Sequence, residues 1–375
     1  MVFQDRRKRG RLDLEATEMA VRSALHRAGA AALTQLLQFP APRDEPRTVP
    51  CPCGQPAPFD QGREQMKVLA GLEVTAKSVE RTAEALGADI AQAEHAVIPP
   101  ALRVDLPALA GAPIPILYVQ MDGTGVPVVK KETVGRQSKT PGQPAHTREV
   151  KLGCVFTQTT WDKQGYPIRA PDSTTYTGAV ETAEEFGRRL YGEAWKRGWS
   201  RAQQQVVMGD GAEWIWNLVA EHFPEAMQIV DLYHARQHLW ELARRLYPND
   251  GEKQKAWMKL HPKRLLDRGR IEKLVGALRA IRSRNPEVTE KIRAEADYFE
   301  RNAERMRYPK FRRQHLFVGS GVIEAGCKTV VASRLKRSGM FWTVRGANAI
   351  LALRCAYLNG RFEDYWESRR PAMAA

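Results

Sequence analysis

Two stretches of this chain repeat one pattern, and that pattern restricts the fold more than any other feature. Ile114-Pro-Ile-Leu-Tyr-Val-Gln-Met-Asp122-Gly123-Thr124-Gly125 is a short apolar run that reaches an acid and then glycine. Val206-Val207-Met208-Gly209-Asp210-Gly211 does the same. Short apolar runs rich in strand formers and bounded by Pro or Gly read as buried strands. An acid where such a strand opens into a glycine turn has room to reach a metal or a substrate. Asp also starts ordinary turns, so a single copy fits that plainer reading equally. The recurrence favours a site, and a third acid, Glu324, is framed by small residues in Gly319-Ser-Gly-Val-Ile-Glu-Ala-Gly326.

The order of elements sets the fold class. Strands are expected at 114–121, 148–157 and 166–176, a helix at 179–197, a strand at 205–209, a helix at 212–222 and a strand at 226–231. That order, β-β-β-α-β-α-β, is a mixed α/β sheet of five strands with flanking helices. Residues 235–315 then read as wholly helical, with 22 Lys and Arg against 11 Asp and Glu. So one-sided an excess suits a helical insertion that touches a phosphate backbone. Lys263, Arg264, Arg268 and Arg270 are its candidate contacts. From about 320 to 358 the chain returns to core-like helices.

The N-terminal part is helical and basic. Residues 1–12 form a basic arm, and 13–38 an amphipathic helix suited to packing or oligomerisation. A proline-rich linker follows. Cys51 and Cys53 look like half of a zinc ribbon, but two thiolates do not close a structural site, so zinc is not expected. Residues 62–95 read as two helices broken near Gly71, the second starting at Thr75. This pair fits a helix-turn-helix, with Lys77 and Arg81 on the outward face, and equally an ordinary helical hairpin. The organisation expected is therefore 1–60 as arm and linker, 61–112 as a helical DNA-binding region, 113–234 with 316–365 as the core, and 235–315 as the insertion.

The formal net charge of +15 points to a polyanionic partner, of which nucleic acid is the commonest. No apolar run has the length of a membrane span, and none follows the basic start as a signal peptide requires. The expectation is a soluble cytoplasmic protein associated with the nucleoid. Five cysteines, an odd number, make no disulfide framework in a chain of 375 residues. Three acids beside glycines in so basic a chain suit a Mg²⁺ (or Mn²⁺) site for phosphoryl chemistry. Hard divalent ions take oxygen ligands, and a pair of them clamps the attacking and leaving oxygens of a phosphodiester.

These motifs resemble those of insertion-sequence transposases of the DDE type, in particular the Kra-type group related to Mutator-like transposases. The resemblance covers residues 113–365. It is carried by Tyr118-Val-Gln-Met-Asp-Gly-Thr-Gly125, Thr147–Thr157, Gly209-Asp-Gly-Ala-Glu-Trp-Ile-Trp-Asn217, Ile229-Val-Asp-Leu-Tyr-His-Ala235, Ser320-Gly-Val-Ile-Glu-Ala-Gly-Cys327 and Ser333–Trp342. It implies an RNase H-like core with Asp122, Asp210 and Glu324 as catalytic metal ligands, and an all-helical insertion before the last catalytic helix. It also implies double-stranded DNA as partner, a homo-oligomer on that DNA, and cleavage at element ends followed by joining of the 3′ ends to target DNA. Asp231-Leu-Tyr-His234 matches the Asp-x-x-His signature of the Mutator-like relatives. His234 would contact the scissile DNA or orient a carboxylate; a structural histidine is the plainer alternative. Arg334, Lys336 and Arg337 are further candidate DNA contacts.

Two departures stand out. The ribbon is cut short after Cys53-Gly54, and Ala170 stands where the family often has Asp. The first leaves a second function open, a defective copy that binds element ends and represses without cutting. A host RNase H-like nuclease or resolvase is a third, disfavoured by the basic insertion and the Glu324 motif.

Overall fold

The structure is a computed structural model and describes residues 57–102, 111–138 and 143–367. The basic arm, the 13–38 helix, the proline linker and the Cys51/Cys53 pair lie outside the described residues. The chain divides into two units, one drawn from residues up to Ala91 and from Asn348 onward, the other from Gln92–Ala347.

In the first unit, helix α1 (Phe59–Ala70) ends at Gly71, which takes the left-handed φ of 66° and returns its N–H to the Lys67 carbonyl. Helix α2 (Ala76–Leu102) starts under a cap, with Thr75 Oγ1 accepting the Ser78 N–H at 3.1 Å. Val79 and Ala83 are buried while Lys77, Ser78 and Arg81 are exposed, as the periodicity requires. The helix continues through Gly87. Glycine at this position leaves room for a neighbouring backbone. A Cβ there would lie 2.0 Å from the Ala349 carbonyl oxygen. Gly87→Ala should therefore cost about 1–3 kcal/mol, the usual range for overpacking a tight contact. Calorimetry reads this as a lowered unfolding midpoint, and an unchanged midpoint would show that the contact is loose.

The second unit is built on one sheet. Strand β1 (Ile114–Pro127) is central. Strand β2 (Thr147–Trp161) pairs antiparallel with it, for example Asp122 with Leu152. Strands β3 (Pro167–Arg169) and β4 (Thr175–Ala179) both pair antiparallel with β2. On the other side β5 (Ala202–Gly209) is parallel to β1, and β6 (Met227–Val230) is parallel to β5. The path β3-β2-β1-β5-β6, two antiparallel steps and then two parallel ones, is the arrangement of an RNase H-like core. Helix α3 (Ala183–Lys196) and helix α4 (Glu213–His222) flank it. Thr182 and Glu185 start α3 with a reciprocal capping box.

Two expectations need correction. The single strand at 166–176 is two, because the chain loops out between them. Ser173 Oγ bonds the Ala170 carbonyl at 2.7 Å and the Thr157 N–H at 3.2 Å, and Asp172 takes φ 51°. The sheet thus has five positions filled by six strands. Second, β1 does not end at Asp122. It continues through Gly123, Thr124 and Gly125 paired with Glu149–Lys151; what stops near Asp122 is the parallel pairing with β5, whose last pair is Gln120 with Met208. Gly123 serves close approach, not a bend. A Cβ there would sit 2.7 Å from Glu149 Oε1.

Between β6 and the return of the chain to the sheet at Val318, the described residues are helical, beginning with helix α5 (Leu232–Leu246) and continuing through Gly251–His261, Ile271–Ala280 and Pro286–Arg301. The returning segment is pinned by aromatic packing. Tyr118 stacks on Phe156 at 4.8 Å, and Phe317 meets both rings edge-on. The Tyr118 hydroxyl donates to Gln158 at 2.6 Å and accepts the Phe317 N–H at 3.2 Å. This fixes the short helix Gly321–Gly326 over the sheet centre.

Candidate active site

Three strands and one helix converge on a cavity of about 450 Å³. Asp122 comes from β1, Asp210 from the end of β5, Asp231 from the end of β6, and Glu324 from the Gly321–Gly326 helix. His234, in the first turn of α5, and Ser320 share the wall. The local chemistry explains each placement. Asp210 Oδ1 accepts the Ala212 N–H at 2.9 Å, and Gly211 takes φ 93°, so the chain turns directly into α4. The Tyr298 hydroxyl donates to the Asp210 carbonyl at 2.9 Å, so the Pro286–Arg301 helix supports this turn. Asp231 caps α5 by accepting the Tyr233 N–H at 2.7 Å. The helix with Glu324 is held to β1 by Gln120, wholly buried, whose Oε1 accepts the Ile323 N–H at 3.1 Å.

Ser320 Oγ lies against Asp231 Oδ2 and 3.0 Å from Glu324 Oε1. One hydroxyl has one proton, so it cannot donate to both carboxylates at once. Burial pushes the Asp122 carboxyl above the ordinary carboxylate range, and Asp210 adds to this; the Gly123 N–H, the Cys327 thiol at 3.5 Å and His234 act against it. Four carboxylates line the cavity and no Lys or Arg is among its lining residues. An all-oxygen donor set gathered in this way suits a hard divalent ion, whose charge offsets the mutual repulsion of the carboxylates. Among the described residues, no three His, Cys, Asp or Glu side chains stand at the spacing of a formed metal site. The donor chemistry fits Mg²⁺ or Mn²⁺, and Asp122, Asp210 and Glu324 are the residues that would close on it.

Sequence reasoning gave no site role to Asp231 or Ser320, which line this cavity, or to Gln120, which holds the Glu324 helix to β1. Asp231 carried a usable signal, since it too follows an apolar strand. Gln120 carried none beyond being polar inside a buried run.

The candidate DNA contacts separate by environment. Lys263, Arg264, Arg268 and Arg270 are all exposed in the Pro262–Arg270 turn. Several other cations of the helical block are paired, as Arg307 is with Glu272 and Glu304, Arg279 with Glu300, and Lys291 with Glu295. Among the described residues none of the four turn cations has an acidic partner. Lys336 reaches the Thr124 hydroxyl, close to Asp122, and Arg337 is exposed. Lys77 is exposed but bonded to Glu80 at 2.8 Å. Arg334 corrects an expectation. It has no exposed surface, and its guanidinium lies 4.9 Å from the Trp342 ring centre, so it packs the core and does not reach DNA.

Residues 193–369 match UPF0236, described as an uncharacterised protein family. That stretch holds Asp210, Asp231, His234 and Glu324 but not Asp122. No curated protein matches the chain. Among solved structures, the Drosophila P element transposase strand transfer complex is similar at a TM-score of 0.30 and 11% identity, covering 93% of this chain and 87% of that one. Among the described residues no helix is long and apolar enough to cross a membrane.

Proposed function

We propose that this chain is a metal-dependent DNA transposase of the Kra-type group, cleaving phosphodiester bonds at element ends and joining the 3′ ends to target DNA. One observation carries the reading. Asp122, Asp210 and Glu324, which lie far apart along the chain, line one cavity that has no Lys or Arg in its wall. Divalent ions held by these three acids would supply the charge stabilisation that phosphodiester cleavage needs. The chain's own residues do the rest. Asp231 and Ser320 hold Glu324 in place, and His234 stands where it can hydrogen-bond a phosphate oxygen or hand over a proton. Lys263, Arg264, Arg268 and Arg270 grip the DNA backbone, Lys336, bonded to the Thr124 hydroxyl, adds a contact near Asp122 and Arg337 a further one, and Lys77 with Arg81 serve end recognition. Backbone contacts of this kind position DNA without reading its sequence.

The test is cleavage of labelled duplex carrying the element's terminal repeats, with Mg²⁺ or Mn²⁺. Metal-dependent nicking at the repeat boundary supports the proposal. Tight binding without cutting in either metal replaces it with the end-binding repressor. A charge-reversal variant checks the basic turn separately. Replacing Lys263, Arg264, Arg268 and Arg270 by Glu should weaken binding similarly on every sequence. It should also flatten the salt dependence, by roughly 0.9 units of slope for each phosphate the turn no longer neutralises. An unchanged slope, read by fluorescence anisotropy across salt concentrations, makes the turn a scaffold.

A further inference from the structure

A second cavity, of about 600 Å³, adjoins the acidic one and has no part in the chemistry described so far. Tyr233 lines both. The second cavity has an apolar floor of Leu316, Val318 and Pro167, Tyr166 and Tyr233 at its sides, and Arg312 at its edge. Both tyrosines are largely exposed, Tyr166 at 66% and Tyr233 at 62%. Neither is loosely held. Asp162 Oδ1 accepts the N–H groups of Gln164 and Tyr166 at 2.9 and 2.8 Å, and His315 Nδ1 meets the Gly165 carbonyl at 2.9 Å. The hairpin tip that presents Tyr166 is therefore rigid. Tyr233 is fixed by its N–H to Asp231, and Arg236, anchored on Asp267, lies 5.5 Å from its ring centre.

Exposed aromatic rings carried on a hydrogen-bonded backbone beside a cation are costly to leave in water and well placed to stack on a planar partner. We propose that this cavity takes an unstacked nucleobase of the DNA strand whose phosphate lies in the acidic cavity. The reading rests on the DNA-cutting function proposed above. Three observations favour a nucleobase. The cavity lies beside the acidic one, with Tyr233 lining both, so a single strand can reach from one to the other. Its faces are apolar and aromatic, which suits the π-face that every base has. Arg312 is exposed at the edge, its guanidinium making only a 3.4 Å contact with the Asp267 carbonyl, and can meet the flanking phosphate. Pulling a base out of the duplex loosens the backbone at the bond to be cut. Stacking on Tyr166 and Tyr233 offsets the unstacking cost.

The experiment uses the full chain without divalent metal, so that nothing is cut. Anisotropy compares a labelled duplex ending in a single-stranded thymine overhang with the same duplex carrying abasic sites in the overhang. The natural chain should prefer the thymine overhang by about ten-fold, as expected for a base stacked on an aromatic ring. Tyr166→Ala and Tyr233→Ala should each lose most of that preference and keep their affinity for blunt duplex. Tyr166→Phe and Tyr233→Phe should retain it, because the ring does the stacking. Equal binding of both overhangs, or alanine variants that keep the preference, overturns the inference. If the chain cuts terminal-repeat DNA yet shows no such preference, the nucleobase pocket alone is refuted. If it binds no DNA, both readings fall.

Discussion

Asp210→Asn should cut DNA roughly 10²–10³-fold more slowly than the natural chain, the scale seen when a group that stabilises transition-state charge is removed. Its fold should be unchanged. The substitution keeps an oxygen to accept the Ala212 N–H, and the Tyr298 hydroxyl bonds the Asp210 backbone carbonyl, which the change leaves alone. What disappears is one of the four carboxylates of the cavity. DNA binding should survive or tighten slightly, since it rests on cations outside the cavity and one repulsion with phosphate is gone. The check is a cleavage time course beside a gel shift on the same duplex, with a thermal melt to confirm folding. A variant that cuts as fast as the natural chain removes Asp210 from the metal site.

Gly326→Val should lose about 10² in rate for a different reason, the displacement of a catalytic group. Glu324 is placed by the Gly321–Gly326 helix, and Gly326 packs directly on the sheet. A Cβ there would lie 2.6 Å from Tyr176 Cε1 and 3.4 Å from Leu152 Cδ2. Tyr176 belongs to β4, paired with Cys154, and Leu152 is wholly buried, so neither yields easily. Valine adds two more carbons, and the helix must move outward with Glu324. A displacement of about 1 Å in a catalytic group costs roughly 100-fold. Stability should fall too, by about 1–3 kcal/mol. The informative result is a chain that still unfolds cooperatively, still binds DNA and cuts slowly. Full activity would mean that Glu324 tolerates movement and is not held to a metal geometry.

The parts of the fold that were legible are those where local sequence and buried environment agree. Leu117–Val119 and Val206–Met208 are continuous apolar runs because both faces of the central strands are covered. The acids after them stood out against those runs and so marked the site. What was hidden depends on partners far along the chain. Gly123-Thr-Gly125 looks like a turn but stays in β1, because β2 supplies a complete antiparallel ladder beside it. The break in the third strand rests on Ser173 bonding Thr157 and Ala170. Arg334 lies in a basic run that reads as surface, and only the fold of Trp342 over it shows that it is core. The exposure of Tyr166 and Tyr233 carries no sequence mark, since periodicity does not separate an exposed ring at a hairpin tip or helix start from a buried one.

Whether Asp122, Asp210 and Glu324 jointly hold divalent metal can be seen in a crystal of the chain soaked in Mn²⁺, with anomalous diffraction recorded above the manganese edge. Anomalous density should appear between Asp122 and Asp210, with Glu324 turned toward it, and should vanish in Asp210→Asn. Density absent from this cavity at saturating Mn²⁺, or present only at other carboxylates, would contradict a shared metal site.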